Sequence, residues 1–351
     1  MTGYRLITLA AVLAVSSIVE AAPPKRLPRD LYKSGTAIRN AFRPVVSGSS
    51  KATVTILVNG HEKALGAIVG SDGWVLTKAS QIDAAATITC RLKDGTKHAA
   101  HHVGLHPGYD LAMLKLKATG LPVIEWKSDR DPLVGDWLAT SGTGDLPLAV
   151  GVVSIRRRRI PHQFGFLGIA FDDDARGARV TRVMPNSGAS RAGLLQNDVI
   201  TTVAGIKVSV GRELRDHIRK FRPGEILPLR VMRKQVEFDT FARLGSPSQH
   251  LQNRGIFMNK LGGQLSFRRG GFPDAFAHDT VLKPEQCGGP LVDLEGHAVG
   301  INIAREGRTE SHAIPAKVIV GLLEDLKAGR RFAAPVTRLD PVDPPPVPLA
   351  H

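Results

Sequence analysis

The sequence predicts a mainly β protein whose strands close into barrels or sandwiches. Three observations carry this. From Ala52 onward, short β runs are broken by glycine and joined at hairpin spacing. A second such set opens with "VGDWLATSG" and "LAVGVVSI", stops, and resumes after Gly255 with "GGPLVDLEGHAVGINI". Between the two parts of that second set lies a unit of different character, with short strands and two helical pieces. Many short strands at regular spacing favour closed or stacked sheets over a parallel α/β architecture.

The elements follow in chain order. Residues 1–22 read as a secretory signal peptide: Arg5 gives a positive start, "LITLAAVLAVSSIV" an apolar run, and "EAA" a small-residue cleavage site. The mature chain is therefore expected to be exported, to a periplasmic or extracellular space. Residues 23–50 are Pro-rich and then mildly helical. Residues 51–130 hold the first strand set, including "TVTILVNG", "ALGAIVGSDGWVLTKA", "ATITCRLKDG" and "DLAMLKL", with D-G turns in "SDGW" and "KDGT". The second set spans 131–160 and 250–330, and the different unit spans 161–245. Val318, Leu322, Leu323 and Leu326 recur at helical spacing in a last helix. Residues 333–351 are Pro-rich and are expected to be extended and disordered.

Composition narrows the function classes. The formal net charge of +15 permits contact with envelope polyanions, peripheral membrane surfaces included. The run Arg156–Arg159 reads as a solvated charged turn. Aromatics are 5% of residues, so no platform for stacking bases is expected and nucleic acid is not an expected partner. Two cysteines, Cys90 and Cys287, exclude a disulfide framework and leave one bridge open. Cys90 shares a strand face with Ile88 and Leu92 and reads as a small buried apolar residue. No cofactor and no metal site is expected.

"PEQCGGPLVDLEGHAVGIN", Pro284–Asn302, resembles the nucleophile loop of trypsin-like proteases, G-x-S-G-G-P-L, with Cys287 where serine would stand. "GAIVGSDGWVLTKASQI" (66–82) resembles the stretch around the catalytic histidine of HtrA/Deg proteases. "YDLAMLKL" (109–116) resembles the segment of that family that holds the catalytic aspartate, and "SHAIPA" its closing F-A-I-P element. The unit at 161–245 is similar to a PDZ domain. "GFLGI" (165–169) resembles the carboxylate-binding loop, and "AGLLQNDVITTVAG" follows the A-G-L-x-x-G-D-x-I-x-x-x-N-G pattern. Asn197 replaces its glycine and Ala204 its asparagine. The resemblance implies a chymotrypsin-like double β-barrel with a PDZ domain inserted in the second barrel, an unusual place for it.

The resemblance also assigns positions. It places Asp110 at the triad aspartate, Ser80 at the triad histidine, Cys287 at the nucleophile and Glu285 at an oxyanion-hole position. Acyl transfer of this type needs an imidazole base, an orienting carboxylate and amide donors for the oxyanion. A neutral hydroxyl at Ser80 cannot take up and hold a proton near neutral pH. A thiol is intrinsically nucleophilic but needs a neighbouring base or cation to become thiolate. His101, His102, His106 and His278 are the alternative bases the sequence offers. A redox role for Cys287 is the other thiol reading, if its loop is accessible.

The expected function is capture of unfolded segments or protein C-termini by a pseudoprotease acting as adaptor or holdase. The PDZ unit would hold the peptide by strand addition, using Phe166, Leu167, Gly168 and Ile169, with Leu214 or Ile218 reaching it from the helix. Two alternatives stand beside it: an active endopeptidase using Cys287, and a basic envelope polyanion-binding protein. The family resemblance allows assembly into homo-oligomers.

Overall fold

The computed structural model describes residues 28, 30, 32–82, 86–247, 258 and 261–330. The leader expected over 1–22 and the tail expected over 333–351 lie outside the described residues. Helices α1 (Thr36–Ala41) and α2 (Arg43–Lys51) come first. Pro44 stands in the first turn of α2, where its missing N–H leaves no bond unmade.

Six strands then close a barrel: β1 (Thr53–Val58), β2 (His61–Gly70), β3 (Trp74–Lys78), β4 (Ile88–Arg91), β5 (Lys97–His106) and β6 (Leu111–Leu116). Their order is β1-β2-β3-β6-β5-β4. Cys90 faces the interior with Ile56, Ile68 and Leu114, and both cysteines are free thiols. No disulfide links Cys90 to Cys287.

The second barrel starts with β7 (Trp137–Thr140) and β8 (Ala149–Ile160). The expected charged turn at Arg156–Arg159 is instead the outer half of β8. The ladder to the next barrel strand holds the run extended, and acidic neighbours neutralise part of it. Arg157 Nε donates to Asp274 at 2.9 Å, and Arg158 lies 3.8 Å from Glu310.

The chain then leaves the barrel and builds a separate sheet from β9 (Ile169–Asp174), β10 (Gly177–Val183), β11 (Val199–Val203), β12 (Ile206–Lys207), β13 (Ile226–Arg233) and β14 (Val236–Arg243). The order is β14-β13-β11-β10-β9, with β12 beside β11, so β9 is an edge. Helices α3 (Gly188–Arg191) and α4 (Gly211–Ile218) pack on it over a core that includes Val180, Ile200, Leu214 and Val231. Asn197 (φ 72°) and Ala204 (φ 49°) are left-handed, which explains why the motif prefers glycine and asparagine there. Buried Asp198 holds the turn, accepting from Leu195 N at 2.8 Å and from Arg233 Nε at 2.7 Å.

The chain returns as β15 (Phe272–His278), which pairs directly with β8, Phe272 opposite Ile160. Strands β16 (Pro290–Val292), β17 (Ala298–Arg305) and β18 (Ser311–Pro315) complete the order β15-β18-β17-β16-β7-β8. The second barrel therefore closes across the insertion. Helix α5 (Ala316–Lys327) seats Ile319 and Leu326 in a core that joins both barrels, with Leu76, Met113, Ile301 and Ile303.

Candidate functional site

The residues singled out by the resemblance meet where the two barrels abut. Strand β3 ends at Lys78, and a short 3-10 turn, Ala79–Gln81, presents Ser80. Asp110 precedes β6 in a left-handed conformation (φ 59°), which a short polar side chain tolerates best after glycine. A second 3-10 turn, Pro284–Gln286, leads into Cys287. Gly288 follows at φ 96°, and a Cβ there would lie 2.2 Å from Leu65 O, so no other residue fits this bend.

Asp110 is 1% exposed and fully engaged. The Ser80 amide donates to its Oδ1 at 2.7 Å and the Ser80 hydroxyl to its Oδ2 at 2.8 Å. The Lys78 ammonium, itself completely buried, lies 3.1 Å from Oδ2 and also donates to the carbonyls of Arg268 and Ile303. Arg268 lies 3.8 Å from Oδ1 and donates to Gly108 O. A charge this deeply buried needs such partners, since desolvation alone opposes it by several kcal/mol.

Cys287 is likewise buried, contrary to the accessible loop expected for a redox thiol. Tight packing on β2 explains this: Leu65 N donates to Cys287 O at 2.9 Å. Among the described residues the thiol's hydrogen-bond partners are Ser266 Oγ at 3.9 Å and Lys283 O at 3.8 Å. Burial pushes the thiol pKa up, with Lys78 and the Ser266 hydroxyl pulling partly the other way. The Cys287 amide donates to Pro284 O at 3.1 Å, and Gln81 Nε2 donates to the same carbonyl at 2.9 Å. In this conformation that amide is engaged within its own turn. Glu285 is exposed and turned to solvent.

None of the alternative bases bonds to the thiol. His278 is buried on β15 beside the Thr280 hydroxyl, at 2.6 Å, and burial pushes its pKa down to about 3. His106 accepts from Tyr109 N, and burial lowers its pKa too. His101 and His102 lie on β5. Above Ser80 opens a cleft of 260 Å³, whose lining includes Arg222, Gly224 and Glu225 from the inserted unit and Phe267 and Arg268 from the barrel.

A second concavity, of 390 Å³, runs between β9 and α4. Phe166, Leu167, Gly168, Ile169 and Ile218 line it. Leu214 does not: it is fully buried in the core, because α4 turns that position inward, and Arg215 and Arg219 line the groove instead. Gly168 has φ 85°, and a Cβ there would lie 2.2 Å from Ser187 Cβ. The amides of Leu167 and Gly168 have no protein acceptor among the described residues.

A PDZ-domain family model matches residues 165–240. A protein of Hahella chejuensis named "Probable periplasmic serine endoprotease DegP-like" is 24% identical over 263 residues, 51% of this chain and 56% of its own length. A Marinomonas protein of the same name is 24% identical over 377 residues, covering 80% of this chain and 78% of its own. The chain carries a PDZ domain and is similar to HtrA-type serine endoproteases. It spans little more than half the length of the Hahella relative. A Chlamydia trachomatis protein, again of that name, is 34% identical over 107 residues, 30% of this chain and 22% of its own. Among solved structures, the serine endoprotease from Yersinia pestis is 20% identical, covering 58% of this chain and 97% of its own, with a TM-score of 0.27.

In this HtrA-like chain three cations at the inter-barrel site were not foreseen from the motifs. Lys78 and Arg305 are among its largest fully buried side chains. Arg305 donates to Leu282 O at 3.1 Å and to Gly307 O at 3.2 Å, while its amide donates to Ser266 Oγ. Period-2 alternation carries the signal for both. Leu76 and Lys78 share a face of β3, as do Ile301, Ile303 and Arg305 of β17, so both cations follow core residues inward. Arg268 lies in the loop before β15, where no periodicity marks it.

Proposed function

We propose that this protein captures polypeptide chain ends through its PDZ groove and that its trypsin-like unit is a non-hydrolytic scaffold. One observation carries the reading: the Cys287 thiol is buried and, among the described residues, bonds to no imidazole. Removing one member of a triad generally lowers rates by several orders of magnitude. Here Ser80 offers no base, and its hydroxyl is committed to Asp110. The engaged Cys287 amide supports the same reading, since an oxyanion would have to displace Pro284 O from it.

The groove supports the binding half. Edge strand β9 can add an extended segment, and the amides of Leu167 and Gly168 are placed to receive a terminal carboxylate. The names of the relatives and the N-terminal leader pattern support an exported protein, working in the periplasm as adaptor or holdase. Homo-oligomers would multiply weak grooves by avidity.

The test is incubation of an unfolded model protein, reduced α-lactalbumin, with the full chain and with Cys287→Ala and Cys287→Ser. New N-termini are counted by mass spectrometry and aggregation is followed by light scattering. All three proteins should leave the substrate intact and slow its aggregation equally. Hydrolysis by the natural chain that vanishes in Cys287→Ala would overturn the proposal in favour of a working endopeptidase.

A further inference from the structure

The groove between β9 and α4 is apolar at its floor and lined on the helix side by two arginines, with Asp173 further along β9. Arg215 and Arg219 are exposed, line the groove, and have no acidic partner among the described residues. Each guanidinium lies over a ring across the groove, Arg215 5.8 Å from Phe171 and Arg219 5.4 Å from Phe164. Such stacking fixes the cation's place while leaving its N–H edges free. On the β9 side, Ile169, Phe171 and Asp173 alternate onto the face toward α4. Asp173 Oδ1 accepts from Gly211 N at 2.6 Å, and the Phe171 ring packs where a Cβ on Gly211 would stand.

We infer that the groove selects chain ends with an apolar last residue, an acidic side chain two residues before it, and a basic side chain two further back. This deepens the proposed reading of the groove and rests on it. With the terminal carboxylate at the Leu167 and Gly168 amides, the last residue of an antiparallel strand stands opposite Ile169. The residue two earlier stands opposite Phe171, and the residue four earlier opposite Asp173. Directly opposed residues share a face, so all three ligand side chains point toward α4. Spacing agrees on the helix side. One α-turn from Arg219 to Arg215 rises about 6 Å, close to the roughly 6.6 Å of two strand residues. The last side chain thus meets Ile169 and Ile218, with Arg219 beside the carboxylate. The side chain two earlier meets Arg215, which an acid satisfies and a base repels. The side chain four earlier meets Asp173, where the preference reverses.

The experiment is fluorescence anisotropy of the full chain with labelled decapeptides ending Lys-Ala-Asp-Ala-Val, as free acids. Replacing the aspartate by asparagine should weaken binding about fivefold, replacing it by lysine should weaken it further, and so should replacing the lysine by glutamate. Arg215→Gln should bring the ratio of the asparagine-peptide Kd to the aspartate-peptide Kd from about five to near one. Arg219→Gln should weaken every free acid by a similar factor. Equal binding of the aspartate, asparagine and lysine peptides would overturn the charge preference while leaving chain-end capture intact. Absence of binding by every free acid, or equal binding by the C-terminal amides, would overturn both.

Discussion

Between the barrels, Lys78 and Asp110 are both buried and each is matched by several partners, while the nearby thiol is sealed with them. In the groove, Arg215 and Arg219 are exposed and, among the described residues, unmatched by acids; two loop amides lack acceptors there, and β9 is an open edge. The same chain thus matches its buried charge pair at one concave site and, among the described residues, leaves its arginines unmatched by carboxylates at the other. A completed set holds a fold, whereas an incomplete set can be completed by a ligand.

The contrast breaks most readily at Lys78. Lys78→Met leaves Asp110 buried without its ammonium and should destabilise the barrels by about 3–5 kcal/mol. The groove's peptide affinity should be unchanged in the folded protein. Adding Asp110→Asn should recover much of the loss, as measured by urea denaturation of both variants. No loss in Lys78→Met would mean that the buried set is not held as a unit.

Acid should act on the sealed region next. Folded His278 titrates at about 3, whereas an exposed imidazole titrates near 6.5. As pH falls below about 6.5 the unfolded chain takes a proton that the folded chain refuses, so stability falls through that window. The loss levels out below about 3. By pH 4 it should reach about 3 kcal/mol. His278→Gln should flatten the slope between pH 6.5 and 4, and parallel curves for the two proteins would assign the acid sensitivity elsewhere.

The smallest effect belongs to the inserted unit alone. Ala204 is left-handed in the turn between β11 and β12. Ala204→Asn should stabilise the PDZ unit by about 1 kcal/mol. Calorimetry should show its transition rising, and an unchanged transition would mean that the turn relaxes in solution.

Much of this was legible in the chain. Glycine-punctuated β runs and D-G turns announced the barrels, and the A-G-L-x-x-x-D pattern announced the PDZ unit. The charged interior was harder to read. A lysine in "VLTKAS" looks the same whether it faces water or Asp110, and only the inward register of Leu76 distinguishes them. Arg156–Arg159 misled because four charges suggest a turn, yet ladder pairing and nearby acids keep them in a strand. Leu214 misled because the apolar stripe of an amphipathic helix reports burial, not which flank of that stripe borders a groove.

The insertion point has a consequence for the second barrel. Strands β8 and β15 are partners, yet on the order of a hundred residues separate them along the chain. Folded, the insert pairs Phe166 with Gly245 and so removes most of that length from the loop. Unfolded, it becomes a long loop whose closure costs roughly 1 kcal/mol more than a loop about a third as long. Whatever stabilises the insert therefore also favours barrel closure, through chain entropy alone. On the proposed function, a peptide settling in the groove would favour barrel closure without any side chain passing the message.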